Sequence, residues 1–174
     1  MNTTSAKQSS VQRGEVLPHV SRNVDLQWNS DARAYKTDGG IEIYVYKASI
    51  LTVNVDCIVS ASNGMLQHGG GEARLISDSA GPKLTSECDA HVKQHGQVPT
   101  GTCFSSTAGR LPYHRVIHAI GPFWYDYHPH TLQLVQECEM DLYNTIMNSL
   151  LEADKAGLKT IALLPISSGK SCPM

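Results

Sequence analysis

Regular alternation of short apolar runs with longer helical stretches constrains the fold of this chain more than any other feature. Runs rich in β-branched, aromatic or apolar residues predict strands at 41–46, 55–59, 102–107, 115–120 and 160–164. The intervening stretches predict helices that end near Ala80, span 83–94 and span about 131–156. In the last of these, apolar residues recur every three or four positions, as on one face of a helix. The alternation predicts an α/β layer fold with a largely parallel or mixed sheet.

The composition is that of an ordinary globular chain. The chain has 174 residues, 41% of them hydrophobic, and a formal net charge of −2. This size fits about one domain. Residues 1–38 are polar and weakly periodic, so we predict a flexible tail or linker there, with the folded domain at 39–174. The near-neutral charge disfavours a protein that coats nucleic acid and argues against direct sequence-specific nucleic-acid binding.

Cysteine usage and hydropathy bear on the compartment. The 5 cysteines are odd in number and scattered, which fits reduced thiols in the nucleus or the cytoplasm better than a disulfide framework. No apolar stretch approaches bilayer-spanning length, and the N-terminus lacks an apolar signal core. We therefore expect no membrane association.

Two loops rich in small residues follow predicted strands. The first, His68-Gly69-Gly70-Gly71, precedes a helix. Glycine permits close backbone approach, and a helix start offers unpaired N–H groups and a positive dipole end, so this loop fits a phosphate cradle. A flexible connection is an equally good interpretation of this loop alone. The second loop, Ser167-Ser168-Gly169, is a weaker anion-binding candidate. Because ligands of such sheets bind at the carboxyl ends of strands, two loops at one edge reinforce each other.

Other polar residues are less informative. Asn63, just after a strand and before Gly64, is either a turn residue or a ligand contact. His91 and His95, with Cys88 one turn earlier, could form a metal face, but a solvated helix face is favoured and we predict no metal and no cofactor. His118 lies within an apolar run and is predicted to be a hydrogen-bonded core histidine.

Four collinear motifs resemble the macrodomain family. Residues 55–63 read Val-Asp-Cys-Ile-Val-Ser-Ala-Ser-Asn, followed by His-Gly-Gly-Gly-Glu-Ala at 68–73 and Ala-Gly-Pro at 80–82. The others are Thr-Ala-Gly-Arg-Leu-Pro at 107–112, Val-Ile-His-Ala-Ile-Gly-Pro at 116–122 and Pro-Ile-Ser-Ser-Gly at 165–169. The resemblance is strongest to macrodomains carried by multidomain poly(ADP-ribose) polymerases. It implies a three-layer α/β/α fold with a mixed central sheet.

The resemblance also implies a ligand and the residues that contact it. The family binds ADP-ribose, free or attached to proteins, and some members remove it hydrolytically. Asn63 matches the asparagine that faces the distal ribose. The implied ligand-binding positions are Ser49, Ile50, Ala61, Asn63, Gly69, Gly70, Gly71, Glu72, Ser167, Ser168, Gly169 and Lys170.

This sequence departs from the family pattern in four places. Ser49 replaces the usual aspartate that accepts the adenine amino hydrogen, which predicts weaker or less selective adenine binding. Ser60 replaces the first asparagine of the Asn-Ala-Ala-Asn run. Ala73 replaces an aspartate that is present in one type of hydrolase, and this replacement disfavours a hydrolase function without excluding it. After Gly169 the family continues with an aromatic residue, a helix and a strand. The sequence Lys-Ser-Cys-Pro-Met at 170–174 lacks that continuation, so we expect a C-terminally incomplete domain, with a larger multidomain parent chain possible.

Three functions follow from the resemblance. The favoured one is binding of ADP-ribose or ADP-ribosylated proteins. The first alternative is a mono-ADP-ribosyl-protein hydrolase, in which Asn63 and a water held by the substrate would carry the chemistry. The second alternative is a remnant that does not bind.

Overall fold

The computed structural model describes residues 32–168, which divide between Ser49 and Ile50 into two compact units. The first unit contains an antiparallel hairpin of β1 (Arg33–Lys36) and β2 (Glu42–Val45). The prediction of a strand at 41–46 is therefore confirmed. Strand β1, however, falls inside the stretch 1–38 that was predicted to be a tail. Its four residues carry little apolar pattern, and pairing with β2 rather than burial defines the strand.

The second unit is built on a mixed four-stranded sheet. Its strands are β3 (Cys57–Ala61), β4 (Cys103–Thr107), β5 (Arg115–Ala119) and β6 (Ile161–Leu163). Their order across the sheet is β4-β5-β3-β6. Strand β3 pairs in parallel with both β5 and β6, whereas β4 is antiparallel to β5. The predicted mixed sheet is confirmed, and each strand lies within two residues of its predicted bounds.

Three α-helices connect these strands: α1 (Gly71–Ala80), α2 (Pro82–His95) and α3 (Leu132–Lys155). Short 3-10 turns lie at Ile50–Thr52 and Trp124–Tyr127. Helix α2 begins at Pro82, because proline at the first helical position loses no hydrogen bond and already has a helical φ. Across residues 32–168, no helix is both long enough and apolar enough to cross a membrane.

The helices cover both faces of the sheet. Successive side chains of a strand point to opposite faces. On one face, Cys57, Val59, Ile117 and Ala119 form a core cluster with Ala153 of α3. On the other face, Ser60 and His118 are fully buried. The Nε2 atom of His118 lies 3.5 Å from the Sγ atom of Cys88 in α2. Helix α1 also contacts β3 and α2. This is the three-layer α/β/α arrangement predicted from the sequence.

Candidate functional site

The carboxyl ends of three parallel strands meet at one edge of the sheet. Strands β5, β3 and β6 are neighbours and run in the same direction. The loops that follow them therefore emerge at the same edge, where α/β sheets place their ligands. Both small-residue loops predicted from the sequence, 68–71 and 167–169, come after strands of this group, the first after β3 and the second after β6, although Gly169 lies outside the described residues.

The glycines before α1 form an open, exposed approach to a helix start. Apart from its neighbours in the chain, a Cβ added at Gly69, Gly70 or Gly71 would have no atom of the described residues within 4 Å. Gly70 is the N-cap residue and makes no side-chain capping bond, and α1 begins at Gly71 with a φ of 58°. The first N–H groups of a helix have no partner within the helix. These backbone donors and the positive end of the helix dipole therefore face unfilled space beside the three glycines.

The loop after β6 is held in a defined conformation. Ser167 adopts a φ of 58°, in the left-handed region, and the Ser168 hydroxyl donates to the carbonyl of Pro165 at 3.0 Å. The loop also packs directly over Gly121, which follows β5. A Cβ on Gly121 would overlap the side chains of both Ile166 and Ser167. The sequence indicated a loop here but not this packing.

Asn63 organises the turn after β3. Its backbone carbonyl accepts from the N–H of Leu66 at 2.9 Å, and its side-chain Oδ1 accepts from the N–H of Gln67 at 3.0 Å. Neither bond uses the side-chain Nδ2 donors. These bonds support the interpretation of Asn63 as a turn residue. The residue of this turn with a left-handed φ is Leu66, at 53°, and not Asn63. The ligand-contact interpretation stays a prediction.

The remaining predicted ligand residues are distributed as follows. Ala61 is the last residue of β3. Ile50 opens the second unit, with a buried side chain and a carbonyl that accepts from the Tyr113 hydroxyl at 2.9 Å. Ser49 is the last residue of the first unit. Glu72 lies exposed in the first turn of α1. Gly169 and Lys170 lie outside the described residues.

A group of buried polar side chains lies beneath the loop after β3. His118 Nε2 is 2.9 Å from the Ser106 hydroxyl, and its Nδ1 is 3.4 Å from the Ser62 hydroxyl. The prediction of a hydrogen-bonded core histidine is therefore confirmed. By contrast, the hydroxyl of Ser60 is buried without a hydrogen-bond partner among the described residues. By resemblance, Ser60 occupies the position of an asparagine in the family. Its hydroxyl makes no hydrogen bond to the described residues of the loop, so it does not replace the contacts expected of an asparagine side chain.

The grouping of Cys88 with His91 and His95 is wrong as a metal face. Cys88 is fully buried and faces His118, whereas the His91 ring stacks on Phe104 at a centroid distance of 4.0 Å. His95 lies at the exposed end of α2. The buried stripe of α2, which includes Leu84, carries Cys88 into the core and leaves the two histidines outside it.

Burial governs the protonation of His118 and of two side chains near it, His68 and Cys88. It lowers the pKa of His118 to about 3, with the neighbouring His68 acting in the same direction. It also lowers the pKa of His68, against the attraction of Asp89. Burial raises the pKa of the Cys88 thiol to about 12, helped by Glu87 and Asp89. Both imidazoles are therefore neutral and the thiol is protonated near pH 7.

A separate open cleft lies at the amino end of β5. Lys83, Glu87, Thr107, His114 and Arg115 line it. Arg115 is the first residue of β5. The cleft therefore lies at the edge of the sheet opposite the loop of residues 68–71, which we call the glycine loop. The Glu87 carboxylate there accepts from the N–H of Thr107 at 2.9 Å.

Comparisons with known proteins identify the family. The family model for the Macro domain matches residues 59–173. The human "Protein mono-ADP-ribosyltransferase PARP14" is 39% identical over 130 residues, which are 75% of this chain but only 7% of PARP14. The "O-acetyl-ADP-ribose deacetylase" of Escherichia fergusonii is 39% identical over 127 residues, 73% of this chain and 68% of that protein.

A solved structure agrees with the sequence matches. A variant of the Oceanobacillus iheyensis macrodomain, solved with ADPR, superposes with a TM-score of 0.70 at 26% identity. The match covers 82% of this chain and 74% of that one. The architecture predicted from the sequence is thus the architecture of known relatives.

Proposed function

The chain belongs to the macrodomain family, and on this premise we propose that it binds ADP-ribose, free or attached to proteins, at the carboxyl edge of β3, β5 and β6. The proposal concerns this domain alone. The transferase activity in the name of PARP14 belongs to a protein of which the match covers 7%, and we do not extend it to this chain.

The glycine loop would receive the diphosphate. A diphosphate carries negative charge and many acceptor oxygens, and N–H groups at a helix start can satisfy both without lysine side chains. The free space above Gly69, Gly70 and Gly71 allows phosphate oxygens to approach the backbone closely. This open helix start is the observation that carries the proposal.

The loop after β6 would close on the other side of the diphosphate. Successive N–H groups in a turn with a left-handed residue form an anion-binding concavity, and Ser167 supplies that left-handed residue. In the proposed complex, Ser167, Ser168 and Gly169 donate backbone N–H groups. By resemblance to the family, Asn63 would face the distal ribose, Ser49 would accept from the adenine amino group, and Glu72 would belong to the first loop.

Hydrolysis is the second candidate function. It is favoured by the relative named O-acetyl-ADP-ribose deacetylase, which is 39% identical over 73% of this chain. Asn63 would then orient the ribose and a water held by the substrate, through the Nδ2 donors that its turn contacts do not use. Ala73 stands where one hydrolase type has aspartate, so binding without turnover is the favoured proposal.

The proposed compartment is the nucleus or the cytoplasm. Among the described residues, Cys57, Cys88 and Cys103 form no disulfide, which is the state expected in a reducing compartment. ADP-ribosylated proteins are the partners we propose.

Isothermal titration calorimetry with ADP-ribose tests the binding proposal. We expect saturable binding of one ligand per chain, with much weaker binding of AMP and of ribose 5-phosphate, because each lacks part of the diphosphate and its flanking riboses. The absence of heat at millimolar ADP-ribose would contradict it. Incubation with a mono-ADP-ribosylated protein tests turnover, and retention of the label would exclude the second candidate.

A further inference from the structure

Three potential metal ligands converge beneath the glycine loop. His68 comes from the loop after β3, Cys88 from α2 and His118 from β5. One ligand atom from each lies within 4.8 Å of the other two. Among residues 32–168, no other group of three such side chains meets this condition. Cys88 and His118 are fully buried, and His68 is partly buried.

His68 provides an independent indication that something binds here. Both of its ring nitrogens are shielded from solvent, and neither has a hydrogen-bond partner within the described part of the chain. A neutral imidazole normally uses one nitrogen as a donor and the other as an acceptor. Leaving buried polar atoms unpaired costs free energy. The His68 ring instead lies over His118, at a centroid distance of 5.1 Å.

The spacing suits a small tetrahedral metal ion. In such a site with Zn–N bonds of about 2.0 Å and one Zn–S bond of about 2.3 Å, neighbouring ligand atoms are roughly 3.3–3.5 Å apart. Cys88 Sγ is 3.5 Å from His118 Nε2. His68 therefore needs only a small shift to complete three corners of the tetrahedron.

The surroundings of His118 suit a metal ligand as well. With Nε2 directed at the metal, Nδ1–H would donate to the Ser62 hydroxyl, now 3.4 Å away. Partners of this kind fix the tautomer of a metal-bound histidine. The Ser106 hydroxyl, 2.9 Å from Nε2, would turn away or occupy the fourth position, which a water molecule could also fill.

We propose that His68, Cys88 and His118 bind one Zn²⁺ ion. Thiolate and imidazole are both common ligands of Zn²⁺ in proteins. The prediction of no metal was based on Cys88, His91 and His95, near which the sequence shows no acidic partner and no second Cys/His cluster. On binding, the Cys88 thiol releases its proton to solvent and the sulfur donates an electron pair to the ion, while both imidazoles bind in the neutral form they already have. The metal ligands differ from the residues proposed to bind the diphosphate, although His68 directly precedes Gly69 in the same loop.

Metal titration of the full chain tests the proposal. The protein is first treated with a chelator under reducing conditions and then titrated with Co²⁺ and Zn²⁺. We expect one equivalent to bind, with a thiolate-to-cobalt charge-transfer band that Zn²⁺ abolishes. Cys88→Ser should remove the band, and Cys88→Ser and His68→Gln should each weaken Zn²⁺ binding more than about 100-fold, beyond the usual effect of losing an outer-shell partner.

Matched controls separate the site from nonspecific binding. Cys103→Ser removes a partly buried thiol outside the proposed site, and His91→Gln removes a histidine of α2 that is not a proposed ligand. Both should bind one Zn²⁺ as the parent chain does. No stoichiometric binding by the parent chain, or equal binding by Cys88→Ser and Cys103→Ser, would overturn the proposal.

X-ray absorption keeps the proposal testable if Cys88→Ser fails to fold. The spectrum of the zinc-loaded parent chain should show one sulfur ligand and otherwise nitrogen or oxygen ligands. No sulfur, or two sulfurs, would contradict the assignment. His68→Gln changes a partly buried loop residue, so its fold can be verified by circular dichroism before titration.

Discussion

Gly121 lies so close under Ser167 that a single methyl group cannot be placed between them. The contact links the end of β5 to the loop after β6, and Ile166 takes part in it as well. Two loops that are separated in sequence thereby define one wall of the proposed ligand site. The conformation of Ser167 depends on a glycine in another strand connection.

Replacing Gly121 with alanine should displace the loop after β6. The new methyl group would overlap Ile166 and Ser167, and overpacking of this kind typically costs about 1–3 kcal/mol. We expect ADP-ribose affinity to fall more than about tenfold, which corresponds to roughly 1.4 kcal/mol, while the far-ultraviolet circular dichroism spectrum is retained. Calorimetry measures the affinity. Gly39→Ala, in the β1–β2 turn with only a 3.9 Å contact, is the control, and equal losses in both variants would contradict the account.

Replacing Gly70 with alanine should affect ligand binding but not folding. Gly70 has an extended φ of −173°, which any residue adopts, and an added Cβ would contact no other residue in the described part of the chain. Its methyl group would instead occupy the space proposed for the diphosphate. We expect ADP-ribose affinity to fall while the free energy of unfolding changes by less than about 0.5 kcal/mol. Urea denaturation and calorimetry on the same samples check both parts, and unchanged affinity would place the diphosphate elsewhere.

Two substitutions separate the roles of Asn63. Asn63→Asp keeps the oxygen that accepts from the Gln67 N–H but removes the Nδ2 donors and adds a negative charge. Asn63→Ala removes the acceptor as well, which typically costs about 0.5–1.5 kcal/mol of stability. We expect both variants to bind ADP-ribose more weakly and only Asn63→Ala to lose stability. Parent-like affinity in Asn63→Asp would show that Nδ2 does not contact the ligand.

The sequence predicted the architecture because strands and helices leave strong patterns. The buried runs around Val59 and Ile117 and the periodic apolar residues of α3 identified their elements. Strand β1 escaped prediction because its burial pattern is mostly exposed and only pairing with β2 reveals it. Apolar patterns in a sequence indicate which residues are buried, but they do not indicate which strands pair with each other.

The interior of the site was harder to predict than its loops. The glycines and serines are visible in the sequence, and their openness follows from their lack of side chains. The closeness of His68, Cys88 and His118 depends instead on how three elements pack, and no spacing rule links positions 20 and 30 residues apart. The buried stripe of α2, shared by Leu84 and Cys88, was the one available signal that Cys88 faces inward.

Acidification should progressively lower the free energy of unfolding of the metal-free protein, because two of its shielded histidines have lowered pKa values. The pKa of His118 is lowered from 6.5 to about 3, and that of His68 is lowered as well. Between pH 6.5 and 3 the unfolded chain therefore binds more protons than the folded one, so the free energy of unfolding falls as the pH falls. The slope for one such group is about 1.4 kcal/mol per pH unit.

Chemical denaturation between pH 7.5 and 4.5, with a chelator present, measures this dependence. This window lies above 3.8, the ordinary pKa of Asp56, whose own pKa is lowered by N–H bonds from Lys159 and Thr160, so Asp56 contributes mainly at lower pH. His118→Gln should flatten the slope by about one proton. A parent chain whose stability is constant across the window would refute the prediction.

The central claim is that the diphosphate of ADP-ribose binds the backbone amides of the two loops, and amide-resolved NMR tests it most directly. Titration of the ¹⁵N-labelled chain with ADP-ribose should shift the N–H signals of Gly69, Gly70, Gly71 and Glu72 together with those of Ser167 and Ser168. The signals of Lys83 and Arg115, in the cleft at the opposite edge, should stay in place. Shifts centred on that cleft, or none at millimolar ligand, would contradict the account.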